Sequence, residues 1–350
     1  MTPDAAPAAA PGADPPGLDL EAFRGWLGSA APGLLEGRLT GTVITGGKSN
    51  LTYVVGDGTR SVIVRRPPLG HVLATAHDMV REHRVMAALA DTAVPVPRMY
   101  AVCPDDAVVG APFYVMELID GVPYRTREEL EALGAGRTRS ISERMVDTLA
   151  DLHDVAPQSV GLTDFGRPQG FLERQVRRWS TQLESSHSRD LAGADALLAR
   201  LRAGQPESPA PAIVHGDYRL DNLLVRPDDQ IGAVVDWEMA TLGDPLTDVA
   251  LLLTYQRVAD LGFGAAVSTA ATAPGFVTPD EVVARYAARS GRDLSQLGFY
   301  EGLACFKLAV VLEGIHYRHV SGQTVGEGFA QIGSMVEPLL ALGLASMEDH

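Results

Sequence analysis

At 350 residues with 46% hydrophobic content, the chain is long enough to bury one large core or two lobes, and it reads as globular. Its 29 basic against 44 acidic residues give a formal charge of -15, which argues against nonspecific binding to nucleic acid or an anionic membrane, because both need clustered Lys and Arg. The two cysteines, Cys103 and Cys305, lie far apart and outside any paired motif, so neither a disulfide framework nor a thiolate metal site is indicated and a reducing cytoplasm fits best.

In chain order, residues 1–17 are mostly Ala, Pro, Gly and Asp with no basic or apolar leader, which predicts a disordered tail. A helix is expected over Leu18 to Leu27. Gly41 to Val55 then reads as strand, glycine turn, strand, and Gly56-Asp57-Gly58 turns the chain into a third strand over Ser61 to Arg66, an antiparallel meander. The first turn, with Gly46, Gly47 and Ser49, brings backbone N–H groups and a hydroxyl close to a ligand without Cβ obstruction, and so suits nucleotide phosphates. Most Gly-Gly turns are plain hairpins, and the turn alone does not decide. A P-loop is excluded, since its first glycine would fall at Thr42 and a strand, not a helix, follows Ser49.

A helix over Thr75 to Ala90 places Met79, Glu82, Met86 and Leu89 on one face. Glu82 on a buried face needs a cation, and the preceding strand offers Arg65 and Arg66; the alternative is a solvated carboxylate at the edge of that face. Val94 to Pro97 is an extended connection, Phe113 to Leu118 a strand, and Ile119 to Pro123 a Gly/Pro break. Helices come next over Arg139 to His153, Phe171 to Glu184 and Asp190 to Arg202, then a Pro-rich linker from Gly204 to Pro211. Beyond that come a helix through Tyr255 and a helical last third that includes Gly302 to His319. No uncharged apolar run is long enough to span a bilayer, because Lys307 and Glu313 interrupt the best candidate, Leu303 to Ile315.

Between the linker and the later helices lies the pattern that carries chemistry. His215-Gly216-Asp217-Tyr218-Arg219-Leu220-Asp221-Asn222 sits between the strand-like runs Ala212 to Val214 and Leu223 to Val225, and Asp236 comes after the strand Ile231 to Val235. An Asp five residues before an Asn can hold a hydroxyl for attack while the Asn oxygen binds a metal, and a second Asp after the next strand completes the metal site. Each of these residues is also an ordinary turn former. Their joint spacing favours phosphotransfer.

With these motifs in order (Gly-Gly-Lys-Ser-Asn, Val-Arg-Arg-Pro-Pro, Arg-Glu-His-Arg-Val, Phe-Tyr-Val-Met-Glu, the Asp217 loop, Asp-Trp-Glu and Gly-Asp-Pro), the chain resembles the aminoglycoside phosphotransferase branch of the protein-kinase-like fold over about Thr40 to Asp248. Its nearest likeness is to the kinase-like domain fused to some acyl-CoA dehydrogenases. The resemblance implies an α+β, two-lobed fold: a small antiparallel N-lobe over residues 18–118 with one main helix, and a larger, mainly helical C-lobe over 119–350. It implies an ATP- and Mg2+-dependent kinase of a small-molecule hydroxyl. Asp217 would orient the acceptor and take its proton, and Asn222 and Asp236 would hold Mg2+. Gly46, Gly47, Ser49 and Asn50 would close over the triphosphate, and Met116, Glu117 and Leu118 would offer backbone groups to adenine.

Two departures stand out. Arg65-Arg66 occupies the strand position where the fold usually carries a phosphate-binding Lys; Arg65, paired with Glu82, is favoured and Arg66 stays open. Arg219, two residues after Asp217, is either a clamp on phosphate or substrate or the ion-pair partner of Asp221. His215 is expected to brace the loop, and Asp244 and Asp248 to cap and brace the segment after the metal site. Glu313, His316, Arg318 and His319 are either pocket lining or a solvated helix face. The favoured acceptor is a hydroxyacyl-type molecule such as a coenzyme A thioester, with an aminoglycoside as rival and a nucleotide-binding pseudo-kinase as a second class. No nucleic-acid or membrane partner is expected, and monomer and homodimer both remain open.

Overall fold

The computed structural model describes residues 14–44, 50–70, 77–186, 189–208, 210–260, 268–322 and 331–348. These fall into two compact units: Met1–Asp120 together with Gly232–Glu238, and Gly121–Ile231 together with Met239–His350. The first residues of the expected helix Thr75 to Ala90 lie outside the described residues.

The first unit begins with α1 (Leu20–Ala30), started by the Asp19 carboxylate, which accepts from the N–H groups of Glu21 and Ala22. Strands β1 (Thr40–Val43), β2 (Leu51–Gly56) and β3 (Ser61–Arg66) form the expected meander. Helix α2 (Met79–Leu89) comes next, then β4 (Met99–Cys103) and β5 (Phe113–Glu117). The five strands pair antiparallel in the order β1-β2-β3-β5-β4. Strand alternation sorts the sheet's side chains. Tyr53, Val55, Val62, Val64, Phe113 and Val115 form one core with Phe23 and Leu27 of α1, where Trp26 meets the Phe113 ring edge-on with centroids 4.6 Å apart. Met79, Glu82, Val85, Met86 and Leu89 are the buried face of α2, which packs on β4 and β5.

The second unit is helical around short strands. It holds α3 (Arg127–Leu133), α4 (Ala135–Asp154), α5 (Phe171–Ser186), α6 (Ala194–Ala203), β6 (Ala212–Val214) and β7 (Leu223–Val225). Of β8 (Ile231–Val234), all but Ile231 groups with the first unit, where the Val234 N–H donates to Pro95 O at 2.8 Å. β9 (Thr241–Gly243) pairs antiparallel with β6, and α7 (Leu246–Asp260), α8 (Pro279–Ser290), α9 (Leu297–Val320) and α10 (Val336–Ser346) complete the unit. Helices α7 and α9 are apolar on most sides because each is packed from several directions, α9 by α5, α7 and α10. Helix α6 begins at Ala194 rather than Asp190, after Gly193 takes a φ of +85°. Among the described residues no helix is long and apolar enough to cross a membrane, and both cysteines are buried free thiols.

Candidate active site

In the first unit, alternation along β3 decides between the two arginines. Arg66 shares the face of Val62 and Val64, and its buried guanidinium donates to the carbonyls of Gly17 and, at 2.8 Å, Val109. Arg65 points the other way, to Glu82 at 3.4 Å and to the Asp236 carboxylate. Glu82 is 1% exposed and also accepts from Tyr114 Oη at 3.0 Å and Asn50 Nδ2 at 3.4 Å. Burial pushes its pKa up, opposed mainly by Arg65. The solvated-edge alternative for Glu82 therefore falls, since this carboxylate is buried and paired.

Asn50 reaches Glu238 Oε2 as well, at 3.4 Å. Asp236, two residues past the end of β8, takes φ +67°, a left-handed conformation uncommon outside glycine. Gly46, Gly47 and Ser49 lie outside the described residues. Met116 is buried at the end of β5, while Glu117 is tied to the backbone of Arg98 (N–H to Arg98 O at 2.9 Å, Arg98 N–H to Oε2 at 3.2 Å) and Leu118 is exposed.

In the second unit, the loop after β6 is held from below by one carboxylate. Asp248, on the first turn of α7, accepts from the N–H groups of His215 at 2.6 Å and Gly216 at 2.8 Å and lies 3.3 Å from His153 Nε2. Burial alone would raise its pKa, but the hydrogen bond from His153 and those from the His215 backbone hold it below the usual carboxylate range. Gly216 has φ +82°, and a Cβ there would stand 2.7 Å from Met239 O, so only glycine fits this turn. His215 is fully buried, and its Nδ1 accepts from the Asp217 N–H at 3.3 Å, a bracing role. Asp248 thus braces the loop that leads into Asp217, not the segment after Asp236. Asp244 does cap its own helix: it accepts from the Leu246 N–H at 3.1 Å and from Tyr300 Oη at 2.7 Å.

Asp217 is fixed through both oxygens. Tyr255 Oη donates to Oδ1 at 2.6 Å, and Asn222 Nδ2 donates to Oδ2 at 3.2 Å and to the Asp217 carbonyl at 2.8 Å. With its nitrogen so committed, Asn222 keeps Oδ1 as the atom for a cation. Arg219 pairs with Asp221 at 2.9 Å, lies 3.8 Å from Asp217 Oδ2 and stacks over the Tyr255 ring at 5.2 Å. Lys307 of α9 donates Nζ to Gly216 O at 2.8 Å and sits over Trp179 at 5.8 Å, and burial lowers its pKa. The result is a partly exposed carboxylate in a fixed orientation, flanked by two cations, which suits acceptance of a proton from a bound hydroxyl.

A sequence profile described as the phosphotransferase enzyme family matches residues 40–299. The chain belongs to this family. A Ralstonia eutropha crystal structure, provisionally named an aminoglycoside phosphotransferase, shares 31% identity over 95% of this phosphotransferase-family chain and 98% of its own, with a TM-score of 0.83. An aminoglycoside phosphotransferase solved with AMP-PNP and hygromycin B matches in fold at 13% identity and TM-score 0.62, over 93% and 98% of the two chains. Acyl-CoA dehydrogenase family member 10 of Mus musculus is 33% identical over 85% of this chain and 28% of its own length. Member 11 of Homo sapiens is 31% identical over 88% and 40%. The chain thus spans less than half of these curated relatives, and the likeness seen in its motifs is borne out.

Sequence reasoning missed two neighbours of Asp217 in this family member. Tyr255 lies in the second half of α7, away from any motif, and left no signal. Lys307 did leave one, as a lone cation in an otherwise apolar stretch of helix, the kind of residue that stays only where a partner awaits it. Glu313, expected on a solvated face or in a pocket, is instead fully buried and pairs with Arg189 at 3.0 Å.

Proposed function

We propose that the protein is an ATP- and Mg2+-dependent small-molecule kinase that phosphorylates a hydroxyl, with a hydroxyacyl-type acceptor such as a coenzyme A thioester favoured over an aminoglycoside. The observation that carries the reading is Asp217, held through Oδ1 by Tyr255 and through Oδ2 by Asn222. Residues 18–118 would take the nucleotide, and residues 119–350 would supply acceptor chemistry. The acceptor oxygen attacks the γ-phosphorus as the bond to the β-phosphate oxygen breaks and ADP leaves, while the hydroxyl proton passes to Asp217 and then to solvent. Asn222 Oδ1 and the Asp236 carboxylate are hard oxygen donors of the kind Mg2+ takes. The ion would supply neutralisation of phosphate charge. Arg65 would serve as the phosphate-binding cation in place of the usual Lys, oriented by Glu82, with Asn50 and the glycine turn of Gly46, Gly47 and Ser49 nearby in sequence. Met116, Glu117 and Leu118 would offer backbone groups to adenine.

The choice of acceptor rests on charge. Arg219 and Lys307 flank Asp217, and Arg125 adds a third cation, 3.5 Å from Asp221. A polycationic antibiotic would be repelled there, whereas a neutral or anionic acyl compound would not. Incubation with ATP, Mg2+ and a panel of hydroxyacyl-coenzyme A thioesters and aminoglycosides should give ADP and a phosphorylated thioester. Asp217→Ala should lower that turnover on the order of 10²–10⁴-fold while nucleotide still binds. If wild-type protein binds no nucleotide, or if Asp217→Ala turns over as fast as wild type, the proposal is wrong.

A further inference from the structure

Beside Asp217, wholly within the second unit, lies a cavity of about 30 Å³, room for roughly two water-sized groups. Met145, Leu252 and Phe276 give it apolar walls, and Arg219, Asp221 and Gln256 bring polar atoms to it. Gln256 is 4% exposed, yet among the described residues neither Nε2 nor Oε1 has a hydrogen-bond partner, and Asp221 Oδ1 is likewise buried without one there. Buried amides and carboxylates are normally satisfied, because each has given up water to be there. An unanswered donor pair and two unanswered acceptors lining one small cavity are complementary to a ligand group that both accepts and donates.

We infer that the cavity is a subsite of the acceptor, and that Gln256 with Asp221 recognises a neutral hydroxyl or amide carried on an aliphatic stem. Charge excludes the alternatives. The Asp221 carboxylate is already paired with Arg219 at 2.9 Å and Arg125 at 3.5 Å, so an ammonium entering beside it meets two guanidinium groups. A carboxylate entering instead meets Asp221 Oδ1 and Gln256 Oε1 with no hydrogen to offer them. A neutral group satisfies both sides, and Met145, Leu252 and Phe276 fit the stem. Arg219 and Tyr255 line this cavity and also contact Asp217, which places the subsite next to the reacting hydroxyl. That the occupant belongs to the acceptor rests on the phosphotransfer reading; that it is a neutral hydrogen-bonding group does not.

The test reads binding without turnover. Protein carrying 15N at glutamine side chains is titrated with two isosteric pairs of probes, propionamide with propionate and propan-1-ol with propylammonium. The Gln256 resonance pair is assigned by its loss in Gln256→Leu, or in the near-isosteric Gln256→Met if the first variant does not fold. Propionamide and propan-1-ol should move that pair saturably, the charged probes should not at equal concentration, and the substitution should weaken propionamide binding about tenfold or more. Equal response to all four probes, or response to none, overturns the inference. Failure of the kinase reading would appear separately, as wild-type protein without ATP turnover whose Gln256 signals still respond.

Discussion

Arg65 and Arg66 are adjacent and chemically identical, and the pleat alone gives them different work. Arg66 ties the segment before α1 to the sheet through Gly17 O and Val109 O, while Arg65 faces two acids, of which Glu82 is almost wholly buried. Removing one member of a buried pair leaves the other uncompensated, which is costlier than never having had the pair. Arg65→Met should therefore lower stability by about 3–5 kcal/mol, read as a shift in the urea midpoint. Adding Glu82→Gln to that variant should restore part of the loss, because the neutral amide no longer needs a cation. An unchanged midpoint in Arg65→Met would show that Tyr114 and Asn50 satisfy Glu82 on their own. The Tyr255 hydroxyl is a second residue-scale lever. Its 2.6 Å bond to Asp217 Oδ1 is a hydrogen bond to a charged group, worth about 1.5–3 kcal/mol. If that bond orients the base, Tyr255→Phe should cut kcat about 10- to 100-fold and leave the KM for ATP alone; a matching loss in ATP affinity would assign Tyr255 to packing instead.

At the scale of elements, α4 and α8 are joined by a ladder of ion pairs. Arg139 bridges Glu143 and Glu281, Arg285 bridges Glu143 and Asp147, and Arg289 meets Asp151. These side chains are partly exposed, so each pair adds little and salt screens it. As the central node, Arg285 should matter most: Arg285→Ala is expected to lower Tm by about 2–4 °C in 0.1 M NaCl, and calorimetry at 1 M NaCl should find the gap reduced. A gap that ignores salt would mean that the arginine stem, not its charge, is what α8 loses. The same two helices show which elements the sequence exposes. α4 and the Thr278 capping box of α8 obey local rules, and so do the β1 to β3 meander and the apolar helices α7 and α9. β4 was not foreseen, because the prolines at 95 and 97 before it mark a connection and its side chains are mostly half-buried, without the alternation that reveals a strand. The Asp217 loop was legible for the opposite reason: Asp217 and Asn222 meet through a spacing of five residues. Tyr255 and Lys307 reach the same carboxylate environment through contacts 38 and 91 residues long, and local pattern carries no record of such pairings.

At the scale of the whole molecule, a chain with a formal charge of -15 would be expected to gain stability on mild acidification as self-repulsion falls. One buried network opposes this. His153 of α4 is 2% exposed; its Nδ1 lies 2.7 Å from Tyr286 Oη of α8 and its Nε2 3.3 Å from Asp248 of α7, and Asp248 in turn holds the loop at His215 and Gly216. Burial depresses the His153 pKa against the pull of Asp248, so the folded protein keeps the ring neutral, with Nε2–H donating and Nδ1 accepting. The unfolded chain takes up its proton near the ordinary value of about 6.5. Below that pH the unfolded state binds more protons than the folded one, and stability must fall as pH falls. Asp248 adds a second loss only in stronger acid, as pH drops below the ordinary 3.8 and through its depressed folded value. Thermal unfolding measured from pH 7.5 to 5 should thus show Tm declining from about pH 6.5 downward, equivalent to about 1–2 kcal/mol. His153→Gln, which keeps a donor for Asp248 but cannot titrate, should start lower at pH 7.5 and decline less. Parallel curves for the two proteins would move the acid sensitivity to some other group, and a Tm that rises toward pH 5 in wild type would show that relief of the net negative charge outweighs the buried imidazole.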